Sequence, residues 1–310
     1  KIDSLDQGEK LQWYNDEFNE IVRLPGSMAE NGKGNDVTVE TAWTGDIVDR
    51  SWFTDKKYEK YRQPGNIKIP FWLKPVKHYT GPAWYQKDVE VPEGWKGKRI
   101  ILFLERCHWE STVFVNGTKV GSRNSLSTPH EFDITDLLIN GKNRISIRID
   151  NRVIIPVGVN SHSISDHTQS NWNGITGSIK LISTPEVYID EIRVFPDLQK
   201  ESAKIIVSIK NPNDKDFKGK LILQARSFNT PGSKRLSKKN VTIVTKSGEQ
   251  QIVSEYRISK PELWSEFNPA MYEISASLTE KGRIIDQREV DFGMREFKIN
   301  ETRFEINGRP

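Results

Sequence analysis

Short strand-length runs, each stopped by turn residues, recur along most of this 310-residue chain and leave little room for helix. Trp84–Val91 alternates and then meets Pro92-Glu93-Gly94, while Arg99–Glu105 is nearly continuously apolar, as a strand covered on both faces would be. Thr112–Val115 and Thr118–Gly121 flank Asn116-Gly117, a dipeptide suited to the left-handed conformations of a tight hairpin. Pro129–Ile134 and Asn143–Ile149 supply further alternating strands, and Thr135–Ile139 reads as one short helical turn. Many short strands at this spacing specify an all-β sandwich or jelly roll.

A second series follows: Val187–Phe195, Ala203–Ile209, Gly219–Ala225, Asn240–Val244, Gln250–Ser254 and Met271–Leu278. Six to seven strands in about a hundred residues fit an immunoglobulin-like β-sandwich. The chain has one cysteine, Cys107, so neither sandwich can hold an internal disulfide, and the thiol reads as a small buried hydrophobe in a strand. Composition also changes between the two series. Eight of nine tryptophans and all five histidines precede residue 187, which places the boundary near Thr184-Pro185.

Charge excludes several partners. Residues 1–186 carry 24 basic and 24 acidic side chains, and residues 187–310 carry 22 and 18, giving the net +4. The basic clusters Lys234-Arg235 and Lys238-Lys239 sit beside Pro231-Gly232 without interleaved aromatics, so no nucleic-acid partner is expected. No run approaches the roughly 18 apolar residues of a membrane helix, and the first residues lack a signal peptide's apolar stretch.

Several motifs, taken in order, resemble glycoside hydrolase family 2, which includes β-galactosidases, β-glucuronidases and β-mannosidases. Arg23-Leu-Pro-Gly-Ser-Met28 resembles an early loop of that family. Gly81-Pro-Ala-Trp-Tyr-Gln-Lys87, Val113-Phe-Val-Asn-Gly117, Phe132-Asp-Ile-Thr-Asp136, Gly141-Lys-Asn143 and Gly174-Ile-Thr-Gly-Ser-Ile-Lys-Leu181 resemble its sugar-binding domain. Leu263-Trp-Ser-Glu-Phe-Asn-Pro-Ala-Met-Tyr272 resembles a signature of its immunoglobulin-like domain, with Trp264 as a packing residue. The C-terminal Phe292-Gly-Met-Arg-Glu-Phe297 and Phe304-Glu-Ile-Asn-Gly-Arg-Pro310 resemble the junction into its catalytic barrel.

The resemblance implies a galactose-binding-like jelly roll over 1–186, whose first strand, with a Trp-x-Phe pattern, would precede Lys1. An immunoglobulin-like sandwich would cover 187–293, and the start of a catalytic TIM barrel 294–310, with an unreturned hairpin at Asn307-Gly308. It further implies a retaining exo-glycosidase whose acid/base and nucleophile glutamates lie beyond Pro310, so no catalytic residue is assigned here. The parent enzyme would act on the terminal sugar of an oligo- or polysaccharide, in a periplasmic or secreted setting, and the barrel of the same chain would be a partner. No cofactor and no metal are expected.

Two loops hold side chains of the kind that meet sugars, in which aromatic faces stack on the ring and polar groups bond hydroxyls. Residues 160–174 contain His162, Asp166, His167, Trp172 and Asn173, and residues 62–82 contain Trp72, Lys74 and His78. A loop ordered by Asn and Asp bonds to its own backbone is the competing reading for the first. Where an aspartate and an arginine are usual in β-galactosidases of the family, the chain has Ser178 and Gly177. A stand-alone carbohydrate-binding or adhesion module is the alternative to an enzyme fragment.

Overall fold

A computed structural model describes residues 1–69, 76–162, 164–168 and 171–310. The chain is almost all β and divides into two compact units, Lys1–Ser183 and Thr184–Pro310.

In unit 1 the strands are β1 (Gly26–Ser27), β2 (Asn35–Asp36), β3 (Lys77–His78), β4 (Pro82–Glu90), β5 (Arg99–Leu104) and β6 (Cys107–His108), followed by β7 (Glu110–Val115), β8 (Thr118–Arg123), β9 (His130–Asp133), β10 (Lys142–Asp150), β11 (Gly174–Ile175) and β12 (Ile179–Thr184). One sheet runs β4-β10-β7-β8 and another β12-β5-β9, while β1-β11-β6 and β2-β3 are small accessory pairings. Ile145, Ile147 and Ile149 of β10 enter a core shared with Ile100, Leu102 and Leu104 of β5. Burying each such side chain contributes about 2 kcal/mol relative to exposure. The short helical turn expected after β9 is present as Thr135–Leu137.

The other face of β10 carries Ser146, Arg148 and Asp150. It is covered by the N-terminal segment, where Tyr14 stacks on Phe114 at 4.4 Å and Trp84 donates its indole N–H to Asp3 at 2.9 Å. This explains how a strand can be buried on both sides although its sequence alternates. Cys107 is 3 % exposed in β6, and burial pushes its thiol pKa up to about 12.

Unit 2 contains β13 (Tyr188–Asp197), β14 (Ser202–Asn211), β15 (Phe217–Phe228), β16 (Lys239–Thr245), β17 (Gly248–Arg257), β18 (Met271–Glu280) and β19 (Arg283–Phe292). Its sheets, β13-β14-β17 and β16-β15-β18-β19, form a sandwich around Ile205, Val207, Leu221, Leu223, Ile274 and Leu278. With no disulfide available, apolar packing between the two inner faces joins them.

Residues 294–310 group with unit 2. Met294 is fully buried in its core, and a hairpin of β20 (Phe297–Asn300) and β21 (Arg303–Ile306) follows. Here the structure differs from the sequence expectation. The run 303–306 pairs with the strand before it, because Glu301 takes a left-handed conformation and turns the chain one step earlier. Asn307 and Gly308 do adopt left-handed angles, φ 52° and 76°, and Ile306 and Arg309 exchange hydrogen bonds of 2.8 and 3.0 Å across them. The Asn307 side chain also donates to the Trp264 carbonyl at 2.9 Å, and the Arg295 guanidinium lies 4.7 Å from the centroid of the half-buried Trp264 ring.

Candidate functional site

The polar loop between β10 and β11 is fixed at both ends by three buried asparagines. Asn151 accepts from the Gly81 N–H at 2.8 Å and donates to the Tyr79 carbonyl at 2.8 Å and to Asn171 Oδ1 at 3.0 Å. Asn171 returns a bond to the Asn151 carbonyl at 2.7 Å. Asn173 donates to the carbonyls of Gly81 and Ile149 at 2.9 and 3.0 Å and accepts from the Tyr85 hydroxyl at 2.8 Å. Each amide is at most 2 % exposed, so its donors and acceptor must be met inside the protein. Burial also raises the pKa of both tyrosines, Tyr79 to about 12, which keeps the hydroxyls protonated as donors.

Gly174 closes the loop at φ 147°, where a Cβ would stand 2.5 Å from the Gly26 carbonyl oxygen. Only glycine lets β11 lie this close to β1.

On this frame the two expected loops meet. His78 Nε2 lies 3.0 Å from Asp166 Oδ1, and the Thr80 hydroxyl reaches both carboxylate oxygens of Asp166 at 3.2 and 3.3 Å. Both side chains of the His78–Asp166 pair are partly exposed. Ser165 Oγ is 3.1 Å from His167 Nδ1, and Thr44 donates to the His167 carbonyl at 2.8 Å. Through Thr44 an aromatic cluster of Trp43, Trp52 and Phe53, packed edge-on at 5.6 and 4.9 Å where Trp52 meets the other two rings, is brought beside the loop. Trp172 is half-buried with its ring centroid 4.7 Å from that of His108, and His162 is exposed on the same loop.

The expected residues therefore divide. His78 and Asp166 meet with Thr80 on one partly exposed rim, and His167 follows next in sequence with its ring on Ser165 and its carbonyl held by Thr44. Asn173 faces inward and presents no amide group to that rim. Trp72 and Lys74 lie outside the described residues. Thr44, Thr80, Asn151 and Asn171 were not singled out from the sequence. The one available signal was that Asn151 and Asn171 stand at the two ends of the loop.

Where β10 ends, Arg148 and Arg152 clasp Asp6 and Asp150: Arg148 lies 2.8 Å from Asp6 and 2.9 Å from Asp150, and Arg152 is 2.7 Å from Asp6. Burial alone would raise the Asp150 pKa, but the two guanidiniums outweigh it and hold the carboxyl below the usual range. These acids are committed to the fold. Asp166 is the single carboxylate between residues 151 and 174, whereas retaining glycoside hydrolysis needs two, roughly 5–5.5 Å apart. The rim can donate and accept hydrogen bonds, as sugar hydroxyls require.

Two disulfide-free sandwiches in series, the first with a polar and aromatic rim on a frame of buried asparagines, define an all-β chain. Family models agree along its length. Residues 24–185 match "Glycosyl hydrolases family 2, sugar binding domain" and residues 187–295 match "Glycosyl hydrolases family 2". The chain belongs to glycosyl hydrolases family 2.

Among curated relatives, a β-galactosidase of Thermoanaerobacter pseudethanolicus is 26% identical over 263 residues, covering 83% of this chain and 34% of that protein. A β-glucuronidase of Paenibacillus borealis is 25% identical over 252 residues, covering 75% and 39%. The chain thus spans little more than a third of the length of these relatives. The solved structure of Bacteroides uniformis β-glucuronidase shares the fold at a TM-score of 0.64 and 24% identity, over 75% of this chain and 28% of that one. A β-glucuronidase from Ruminococcus gnavus aligns over 100% of this chain and 46% of its own at a TM-score of 0.67 and 18% identity.

Proposed function

We propose that residues 1–310 are the non-catalytic front portion of a retaining exo-glycosidase that degrades carbohydrate. The parent enzyme would resemble the β-galactosidases and β-glucuronidases to which the chain is similar. In this reading the catalytic pair of carboxylates sits on a barrel further along the same polypeptide. The rim of His78, Thr80, Asp166 and His167 lends hydrogen bonds to a terminal sugar held mainly by that barrel.

The observation that carries the proposal is the order of the two family matches, sugar-binding domain then second domain, in a chain covering about a third of its relatives' length. The loop chemistry supports it, because a rim with a single carboxylate suits contact with hydroxyl groups better than hydrolysis. Purified residues 1–310 are expected to release no nitrophenol from nitrophenyl β-galactoside or β-glucuronide. Turnover that follows the protein through purification would refute the proposal. Millimolar or tighter binding of a defined glycan by the chain alone would favour a stand-alone module instead.

A further inference from the structure

Unit 1 carries a small cavity of about 240 Å³, lined by Trp43, Thr44, Asp49, Ser51, Trp52 and Tyr58. Thr44 ties it to the polar loop through the His167 carbonyl. Pockets for drug-sized ligands run from about 300 to 1,000 Å³, so this one has room for a single small ring. Packing holds Trp43 in place there. Trp52 meets it edge-on at 5.6 Å, and Gly45 lies so close that a Cβ would stand 2.3 Å from Trp43 Cζ2.

The cavity contains a donor that the fold leaves unused. Trp43 is 6 % exposed, and its indole N–H has no acceptor among the described residues. The indole N–H of Trp52, by contrast, donates to the Lys68 carbonyl at 3.0 Å. Buried polar groups are nearly always paired, so a fixed, unmet donor in a residue that lines a cavity marks where an incoming acceptor belongs. Asp49 supplies the opposite chemistry. Its exposed carboxylate accepts from the Ser51 N–H at 2.9 Å and the Ser51 hydroxyl at 3.1 Å, bonds that hold its pKa below the usual range. An ionised carboxylate has further lone-pair sites for a ligand's donors.

A cation would satisfy Asp49 and leave the indole N–H unmet, whereas an inorganic anion would do the reverse and face a carboxylate. A ring bearing several hydroxyls supplies both partners and offers C–H faces to the aromatic walls. We propose that the cavity is a binding site for one neutral pyranose ring, an oxygen of which accepts from Trp43 Nε1 while a hydroxyl donates to Asp49. This site is separate from the His78–Asp166 rim and does not rest on the glycosidase reading. Each bond to the protein replaces a bond to water, so the net gain is small, and a dissociation constant of about 10–100 mM is expected. That is weaker than the affinity that would mark a stand-alone module.

The test is a proton–nitrogen NMR titration of the 310-residue chain with the methyl β-pyranosides of galactose, glucose and mannose, up to about 500 mM. The Trp43 indole resonance is identified by its loss in Trp43→Phe. At least one pyranoside is expected to shift it saturably. Asp49→Asn, a change at an exposed side chain, should weaken that binding at least about threefold. Trp43→Phe should weaken it by about tenfold, read from the Ser51 amide. No saturable shift with any of the three sugars overturns the proposal, as does saturation that Asp49→Asn leaves unchanged. A response confined to the amides of Thr80 and Asp166 would place the sugar on the rim and overturns it too. So does a stronger response to tetramethylammonium or to inorganic phosphate, which would make the cavity a cation or an anion site.

Discussion

Asn173 shows what a sequence can and cannot say about one side chain. The stretch around it was legible as a polar loop with aromatics, and that description holds. The direction of the amide was not legible, because its partners are Tyr85 and Gly81, some ninety residues away. His78 and Asp166 were equally separated, yet both were recognisable as exposed polar groups on loops, and the fold brings them to 3.0 Å. Replacing Asn173 by alanine leaves the Tyr85 hydroxyl without its buried acceptor and removes the side-chain bonds to the Gly81 and Ile149 carbonyls. Each orphaned group costs about 1–3 kcal/mol, partly relieved by relaxation. We expect Asn173→Ala to lower unfolding free energy by about 2–3 kcal/mol in urea titration. A change within error would mean that the frame does not depend on that amide.

Elements were legible where their signals are local. Asn116-Gly117 turns β7 into β8 with φ of 49° and 83°, as a two-residue hairpin between right-handed twisted strands demands. Six of the seven sandwich strands of unit 2 also fall where alternation put them, whereas β19 was not among the runs read from the sequence. The small pairings were not legible. β1, β6 and β11 are two residues long, and no periodicity can be read in two residues; the contact between distant backbones creates them. Gly174 is the position on which that contact depends. Gly174→Ala would force a Cβ against the Gly26 carbonyl and a backbone angle unfavourable to side chains. The expected loss is about 2 kcal/mol or more, read from chemical denaturation. Faster amide exchange at Met28, which donates to the Asn173 carbonyl, should accompany it. Unchanged stability would show that β1 can move aside without cost.

At the scale of the whole molecule the charge arrangement fixes how the fold responds to acid. His130 is 1 % exposed, with Nδ1 2.7 Å from Ser111 Oγ and Nε2 2.8 Å from the Ser125 carbonyl. Burial lowers its pKa, so the unfolded chain takes up the proton first. The stability it confers is full above the unfolded value of about 6.5 and is lost as pH falls below that. The pKa of Asp6 is also lowered: burial opposes this, but Arg148 and Arg152 prevail. Together with Asp150 it gives a second loss below about pH 4. As pH falls from 7, urea midpoints are expected to fall in these two stages. His130→Gln should remove the first stage and leave the second. A first stage that survives the substitution would assign it to another group.

The tryptophans and histidines concentrate in the first of the two compact units, Lys1–Ser183 and Thr184–Pro310. That boundary gives Cys107 a use. As the chain's only sulfhydryl, protonated at neutral pH and walled off inside unit 1, it is hidden from thiol-specific dyes until the jelly roll opens. Labelling kinetics would time the opening of that unit alone, and the neighbouring sandwich, having no sulfur nucleophile, would stay silent throughout.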